Sequence, residues 1–194
     1  MLRRSAESRF APGFSVFPGG SVEDRDPELA ERWFGDPREA SRACAVRELA
    51  EESGLALTGA GIRPLVPAEQ AEAAVSAFPP RPGLLAEIAR WVAPEFLSVR
   101  FDARFFALEV PRGLAVRPDG VEVERAWWAR LADVLGTHAL YRSLMWPTYR
   151  TLEVLARCAS ASDVMQLEIE QEPPPRIGSK QSPEWQVPTG RVRA

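Results

Sequence analysis

The chain has 194 residues, room for one domain with a buried core, and its 45% apolar and 26% charged residues are the balance of an ordinary globular protein. A net charge of −3 argues against general nucleic-acid binding, and no apolar run approaches the ~18 residues that a membrane span needs. Two distant cysteines, Cys44 and Cys158, make no disulfide framework, and Met1-Leu2 runs into Arg3-Arg4 without an apolar leader, so a cytoplasmic location is expected.

In chain order, residues 13–18 read as a short strand entering the Gly19-Gly20 turn, and residues 27–34 as a short helix in an otherwise polar, acidic stretch. The clearest helix spans 37–53. Asp36 is placed to cap it, Pro37 suits its first position, Glu39 would complete a capping box with Asp36, and Gly54 stands just past its end. A new segment starts at Leu55. Residues 83–92 read as another helix ending before Pro94. Residues 98–110 read as a long strand, buried on both faces over part of its length because its aromatics alternate only partly. A strand over 121–128, a helix near 129–135 and a helix over 148–158 follow. The Pro-rich stretch 172–194 reads as a surface extension. Alternating strands and helices imply a mixed α/β or α+β sandwich.

The chemistry concentrates in Arg47-Glu48-Leu49-Ala50-Glu51-Glu52-Ser53-Gly54-Leu55. At 100° per residue, Glu48, Glu51 and Glu52 fall within an arc of about 100° on one helix face. Ala43, Val46, Leu49 and Ala50 lie opposite. Two carboxylates ~4 Å apart at an effective dielectric of ~20 repel by about 4 kcal/mol, and Arg47 alone does not neutralise three glutamates. A divalent cation does, and hard oxygen donors on a rigid helix suit Mg2+ or Mn2+. Most Glu-rich helix faces are merely solvated. The complete pattern Arg-Glu-x-x-Glu-Glu-x-Gly, however, would arise by chance in a chain of this length only about once in several thousand.

That pattern resembles the signature of the Nudix hydrolases, Gly-x5-Glu-x7-Arg-Glu-U-x-Glu-Glu-x-Gly-U with U bulky and apolar. Glu39 stands eight residues before Arg47, Leu49 and Leu55 match U, and Gly54 matches the second glycine. Phe17-Pro18-Gly19-Gly20 resembles the family's entry turn, with Gly20 as the first glycine. Eighteen residues separate Gly20 from Glu39 where the signature has five, implying an insertion of thirteen within about 21–35. Added loop length costs little, so turn and helix are expected to meet. Upstream, Arg4-Ser5-x3-Arg9-x3-Gly13-x3-Phe17-Pro18-Gly19-Gly20 resembles the accessory motif of the coenzyme A diphosphatases of this family. Their peroxisomal relatives are similar in two further respects, an insertion in the signature and a stretch like Arg100-Phe101-Asp102-Ala103-Arg104-Phe105-Phe106.

The resemblance implies an α+β fold, an α/β/α sandwich with a mixed β-sheet and a catalytic helix after a Gly-Gly loop, over residues 1–171. It implies a metal-dependent hydrolase of a small diphosphate-linked substrate. Glu48, Glu51, Glu52 and the Gly20 carbonyl would be metal ligands, Arg47 would orient the glutamates, and Arg4 and Arg9 would bind substrate. Glu39 reads as a helix cap and Arg47 partner. Glu122 and Glu124 are either an extra ligand or solvated strand-edge charges. The general base is left open between Glu48, Glu52 and a glutamate from a distant loop. His138 has no partner motif, and Trp91, Phe101, Phe105, Phe106, Trp127 and Trp128 read as core more than as an adenine platform. Coenzyme A or acyl-coenzyme A is the first substrate class, and ADP-ribose, a nucleotide sugar or a dinucleotide the second. A non-catalytic Nudix-fold binding module is a third possibility, disfavoured because all three helix glutamates are present. A homodimer is left open, and neither nucleic acid nor membrane is expected as a partner.

Overall fold

The computed structural model describes residues 1–8, 11–93 and 100–171. Arg9, the beginning of the 98–110 segment and the stretch 172–194 lie outside the described residues. Strand β1 (Leu2–Arg4) runs between β2 (Ser15–Val16) and β7 (Val123–Ala126), antiparallel to both. Its register with β7 shifts between Arg3 and Arg4. Between β2 and β7 come α1 (Asp26–Phe34), a 3-10 turn (Pro37–Glu39), α2 (Ala40–Ser53), β3 (Leu55–Thr58), β4 (Gly61–Pro64), α3 (Ala71–Ser76), β5 (Ala86–Val92) and β6 (Asp102–Ala107). After β7 come α4 (Leu131–Gly136), α5 (His138–Tyr141), α6 (Trp146–Leu155) and α7 (Ala161–Val164). β3 pairs with β4 and β5 with β6, both antiparallel, and Ala89 makes one isolated parallel bridge to Ile169. Among the described residues the strands therefore form three small antiparallel sheets, where one mixed sheet was expected. No helix among them is long and apolar enough to cross a membrane.

The stretch 83–92 is not a helix. Pro82–Leu84 is a 3-10 turn and Ala86–Val92 is strand β5. Ala, Glu and Arg favour helix locally, but pairing with β6 prevails. Trp91 is fully buried, and the cross-strand pairs Arg90–Asp102 and Arg104–Glu87 line the exposed side. β6 is not buried on both faces either: Asp102 and Arg104 are exposed, and Ala103, Phe105, Phe106 and Ala107 are half-buried. Trp128 is exposed rather than core, and Trp127 lies under the Arg125 guanidinium.

The segment between the glycine turn and α2 is more than a loop. Its Leu29, Ala30 and Trp33 enter the core cluster of Ala43 and Val46 from α2, Leu57 from β3 and Val75 from α3. The Trp33 indole N–H donates to Ser76 Oγ at 2.9 Å, so its polar end is satisfied while its ring is buried. Trp33→Ala is expected to cost about 3–5 kcal/mol in urea unfolding. A change below about 1 kcal/mol would mean that α1 is not part of the core.

Candidate active site

Helix α2 carries the acidic face. The Asp36 side chain accepts the Arg38 N–H and so caps the 3-10 turn that leads into it. At the other end Gly54 takes φ +67°, left-handed backbone that a side chain would strain, and returns its N–H to the Ala50 carbonyl. Ala43 packs into the core against α1, and the Cys44 thiol lies 3.6 Å from the Gly20 carbonyl, which sets the helix beneath the Gly19-Gly20 turn.

Turn and helix do meet. The Gly19 N–H donates to Glu52 Oε2 at 2.9 Å. A Cβ at Gly20 would lie 2.2 Å from Glu48 Oε1, so only glycine leaves room for that carboxylate. Because the obstructing atom is the end of a side chain, Gly20→Ala should displace Glu48 rather than unfold the protein. The expected result is a loss of turnover of about 10²-fold, with thermal stability little changed. Retained turnover would separate Gly20 from the site.

Arg47 organises the face from below. Its side chain is 1% exposed and its guanidinium spans two groups of acids. Nε and Nη2 donate to the Asp26 carboxylate at 2.9 and 3.0 Å, and Nη1 donates to Glu48 at 2.8 Å and to Glu51 at 3.0 Å. Asp26 is fully buried and also accepts the Glu23 N–H at 2.8 Å. Burial alone would raise its carboxyl. The Arg47 hydrogen bond, the Glu23 N–H and the charges of Arg47 and Arg25 outweigh burial and hold it below its ordinary value.

The partner of Arg47 is therefore Asp26 and not Glu39. Glu39 pairs with Arg42 at 2.8 Å, and Arg42 ties the start of α2 to the Leu85 carbonyl and lies over the Phe106 ring. The expected capping box with Asp36 is not formed, because the Glu39 carboxylate turns to Arg42. Asp26 is not among the acids expected from the sequence. Its signal was its position: it stands six residues after Gly20, the spacing at which the signature places its first acid, with Asp in place of Glu. Counted from the acid that Arg47 meets, the thirteen additional residues fall in 27–39.

The remaining expected residues divide. Arg4, from β1, reaches Glu52 at 3.6 Å and Glu122 at 3.3 Å, so it lies within the acidic site and links β1 to the loop before β7. Glu124 pairs instead with Arg3 at 3.8 Å. Asp119, likewise not among the expected residues, is close enough for its charge to act on Glu52, and its Oδ1 accepts the N–H groups of Val121, Glu122 and Val123. Nothing short of the chain path brings this loop to α2, so no local pattern announced it.

Burial pushes the Glu52 carboxyl up to about 7. The Glu48 and Asp119 charges add to the rise, and the Gly19 N–H and Arg4 oppose it. Glu48 is also raised, by burial first, against the charge and hydrogen bond of Arg47. Burial and the nearby Asp26 charge push the Cys44 thiol up to about 12, so it stays a neutral thiol rather than a nucleophile. Among the described residues no three Asp, Glu, His or Cys side chains already converge on one point, and the glutamates turn to Arg47, Gly19 and Arg4. Their chemistry nevertheless fits a hard divalent cation: the donors are all oxygen, and withdrawal from water disfavours the ionised form of both Glu48 and Glu52, which a bound cation would offset.

A solved crystal structure described as a NUDIX hydrolase from Alicyclobacillus acidocaldarius is similar over 88% of this chain and 88% of that one, with a TM-score of 0.72 and 34% sequence identity. A curated Caenorhabditis elegans protein named "Putative nudix hydrolase 7" is 41% identical over 61 residues, which is 31% of this chain and 18% of that protein. No family model matches the chain. With an α+β fold shared over nearly nine-tenths of a solved relative at that identity, and the glutamate-bearing helix set under a glycine turn, the chain belongs to the Nudix hydrolases, enzymes that cleave diphosphate linkages.

Proposed function

We propose that this protein hydrolyses the diphosphate of coenzyme A or acyl-coenzyme A, dependent on Mg2+ or Mn2+, releasing 4′-phosphopantetheine or its acyl form and adenosine 3′,5′-bisphosphate. The observation that carries the reading is the juxtaposition of Glu48 and Glu52 with the backbone of the Gly19-Gly20 turn. Glu48, Glu51, Glu52 and the Gly20 carbonyl would hold the cation, which supplies the positive charge that offsets the diphosphate oxygens. Arg47 keeps Glu48 and Glu51 from swinging away, because its own position is fixed by Asp26. Glu48 or Glu52, both partly withdrawn from bulk water, takes the proton of the attacking water. The water oxygen bonds to one phosphorus, the bond from that phosphorus to the bridging oxygen breaks, and the other phosphate leaves with that oxygen.

Support for coenzyme A comes from the upstream motif. Arg4 of that motif lies against Glu52, beside the face where a substrate phosphate would sit. The test is a panel of coenzyme A, acetyl-coenzyme A, ADP-ribose and nucleotide sugars incubated with Mg2+ or Mn2+, with products identified by mass. Adenosine 3′,5′-bisphosphate as the preferred product is expected. Preferred cleavage of ADP-ribose or a nucleotide sugar would overturn the substrate. No metal-dependent hydrolysis of any compound would favour a binding module.

A further inference from the structure

A groove of about 470 Å3 opens beside Glu51, between the C-terminal half of α2 and the loop that precedes β7. Its wall includes Glu51, Gly54, Leu65, Glu69, Arg117 and Asp119. Three of these are acids, so at first sight the groove repels an anionic substrate. Each acid is already engaged. Glu51 is paired with Arg47 at 3.0 Å and Arg25 at 3.3 Å. Glu69 takes a two-pronged contact from Arg63 at 2.8 and 2.6 Å. Asp119 Oδ1 accepts three backbone N–H groups.

Arg117 differs. Among the described residues its guanidinium makes no ion pair or hydrogen bond, while its backbone is firmly placed. Its N–H donates to the Ser53 carbonyl at 2.8 Å, and its Cβ and carbonyl oxygen lie 3.5 Å from where a Cβ of Gly54 would stand. The loop is thus packed onto the end of α2, two to three residues from Glu51 and Glu52, with an uncommitted guanidinium on the groove wall. A planar guanidinium on a fixed base suits two-pronged recognition of a phosphate.

We propose that this groove seats a phosphate of the substrate that is separate from the scissile diphosphate, with Arg117 as its ligand. Resting on the coenzyme A reading above, that group is the 3′-phosphate of the adenosine part. Arg117 then decides between substrates that carry this phosphate and those that lack it.

The test compares coenzyme A with dephospho-coenzyme A, which differs only by that phosphate, in wild type, Arg117→Ala and Arg117→Lys. The wild type is expected to favour coenzyme A. Arg117→Ala should lower kcat/KM for coenzyme A about tenfold to a hundredfold, mostly through KM, and leave dephospho-coenzyme A within about twofold. Arg117→Lys should fall between. An equal loss on both substrates, or no loss on either, overturns the proposal. Should the wild type cleave neither compound, the coenzyme A reading fails and the groove is judged by calorimetry with adenosine 3′,5′-bisphosphate and adenosine 5′-monophosphate. Tighter binding of the bisphosphate that Arg117→Ala abolishes upholds the groove as a phosphate site, and equal binding of the two overturns it.

Discussion

Glu52→Gln is expected to lower turnover by about 10²- to 10⁴-fold while the protein stays folded. Glutamine keeps the shape of the side chain and an oxygen for the Gly19 N–H, so the turn keeps its anchor on α2. What disappears is the negative charge. In the metal-free protein that charge is unwelcome, because burial raises the carboxyl to about 7 from an ordinary 4.5. Between those values the folded state holds more protons than the unfolded state, so this group makes stability fall as pH rises. Measured with chelator present, Glu52→Gln should therefore melt above wild type at pH 8, and the difference should close near pH 4. Glu51→Gln should also abolish turnover, but Glu51 is partly exposed and its replacement should leave the melting temperature nearly unchanged. Wild-type turnover in either variant would remove the glutamates from the site.

Asp26→Ala should be the most destabilising change near the site. It leaves the buried Arg47 guanidinium without its two-pronged partner, and breaking one side of a buried pair costs about 3–5 kcal/mol. Glu39→Ala, at a side chain that is 40% exposed and paired with Arg42, should cost less than about 1 kcal/mol. The two variants decide which acid anchors Arg47. The sign of the pH dependence is set by the lowered Asp26 carboxyl. Its contribution is fully present above the ordinary value of 3.8 and is lost as pH falls through the lower folded value. The stability gap between wild type and Asp26→Ala should hold from neutral pH down to about 4 and shrink below it. Turnover should fall by about 10²-fold as well, since Arg47 positions Glu48 and Glu51. Equal stability of Asp26→Ala and wild type would overturn this account.

Helix α2 was legible because everything that defines it is local. Its leading cap at Asp36, its stop at Gly54 and the spacing of Glu48, Glu51 and Glu52 all lie within one stretch of chain. Strand β5 was not legible, because Ala86-Glu87-Ile88-Ala89-Arg90 carries helix-forming residues. Only its pairing with β6 and the burial of Trp91 make it a strand. The turn before α2 was legible as a glycine turn, but its distance from Glu48 depended on how α1 packs between them.

The acidic helix face, the glycine turn and the kind of chemistry they support can be read from the residues alone, because helix periodicity and backbone freedom act over a few residues. The tertiary structure alone decided which partners those residues take. Arg47 meets Asp26, 21 positions away, rather than Glu39, eight positions away, because α1 carries Asp26 into the core where an unpaired guanidinium would be costly. The same holds for Arg4 against Glu52 and for Arg117 at the end of α2, contacts between segments that no local pattern relates.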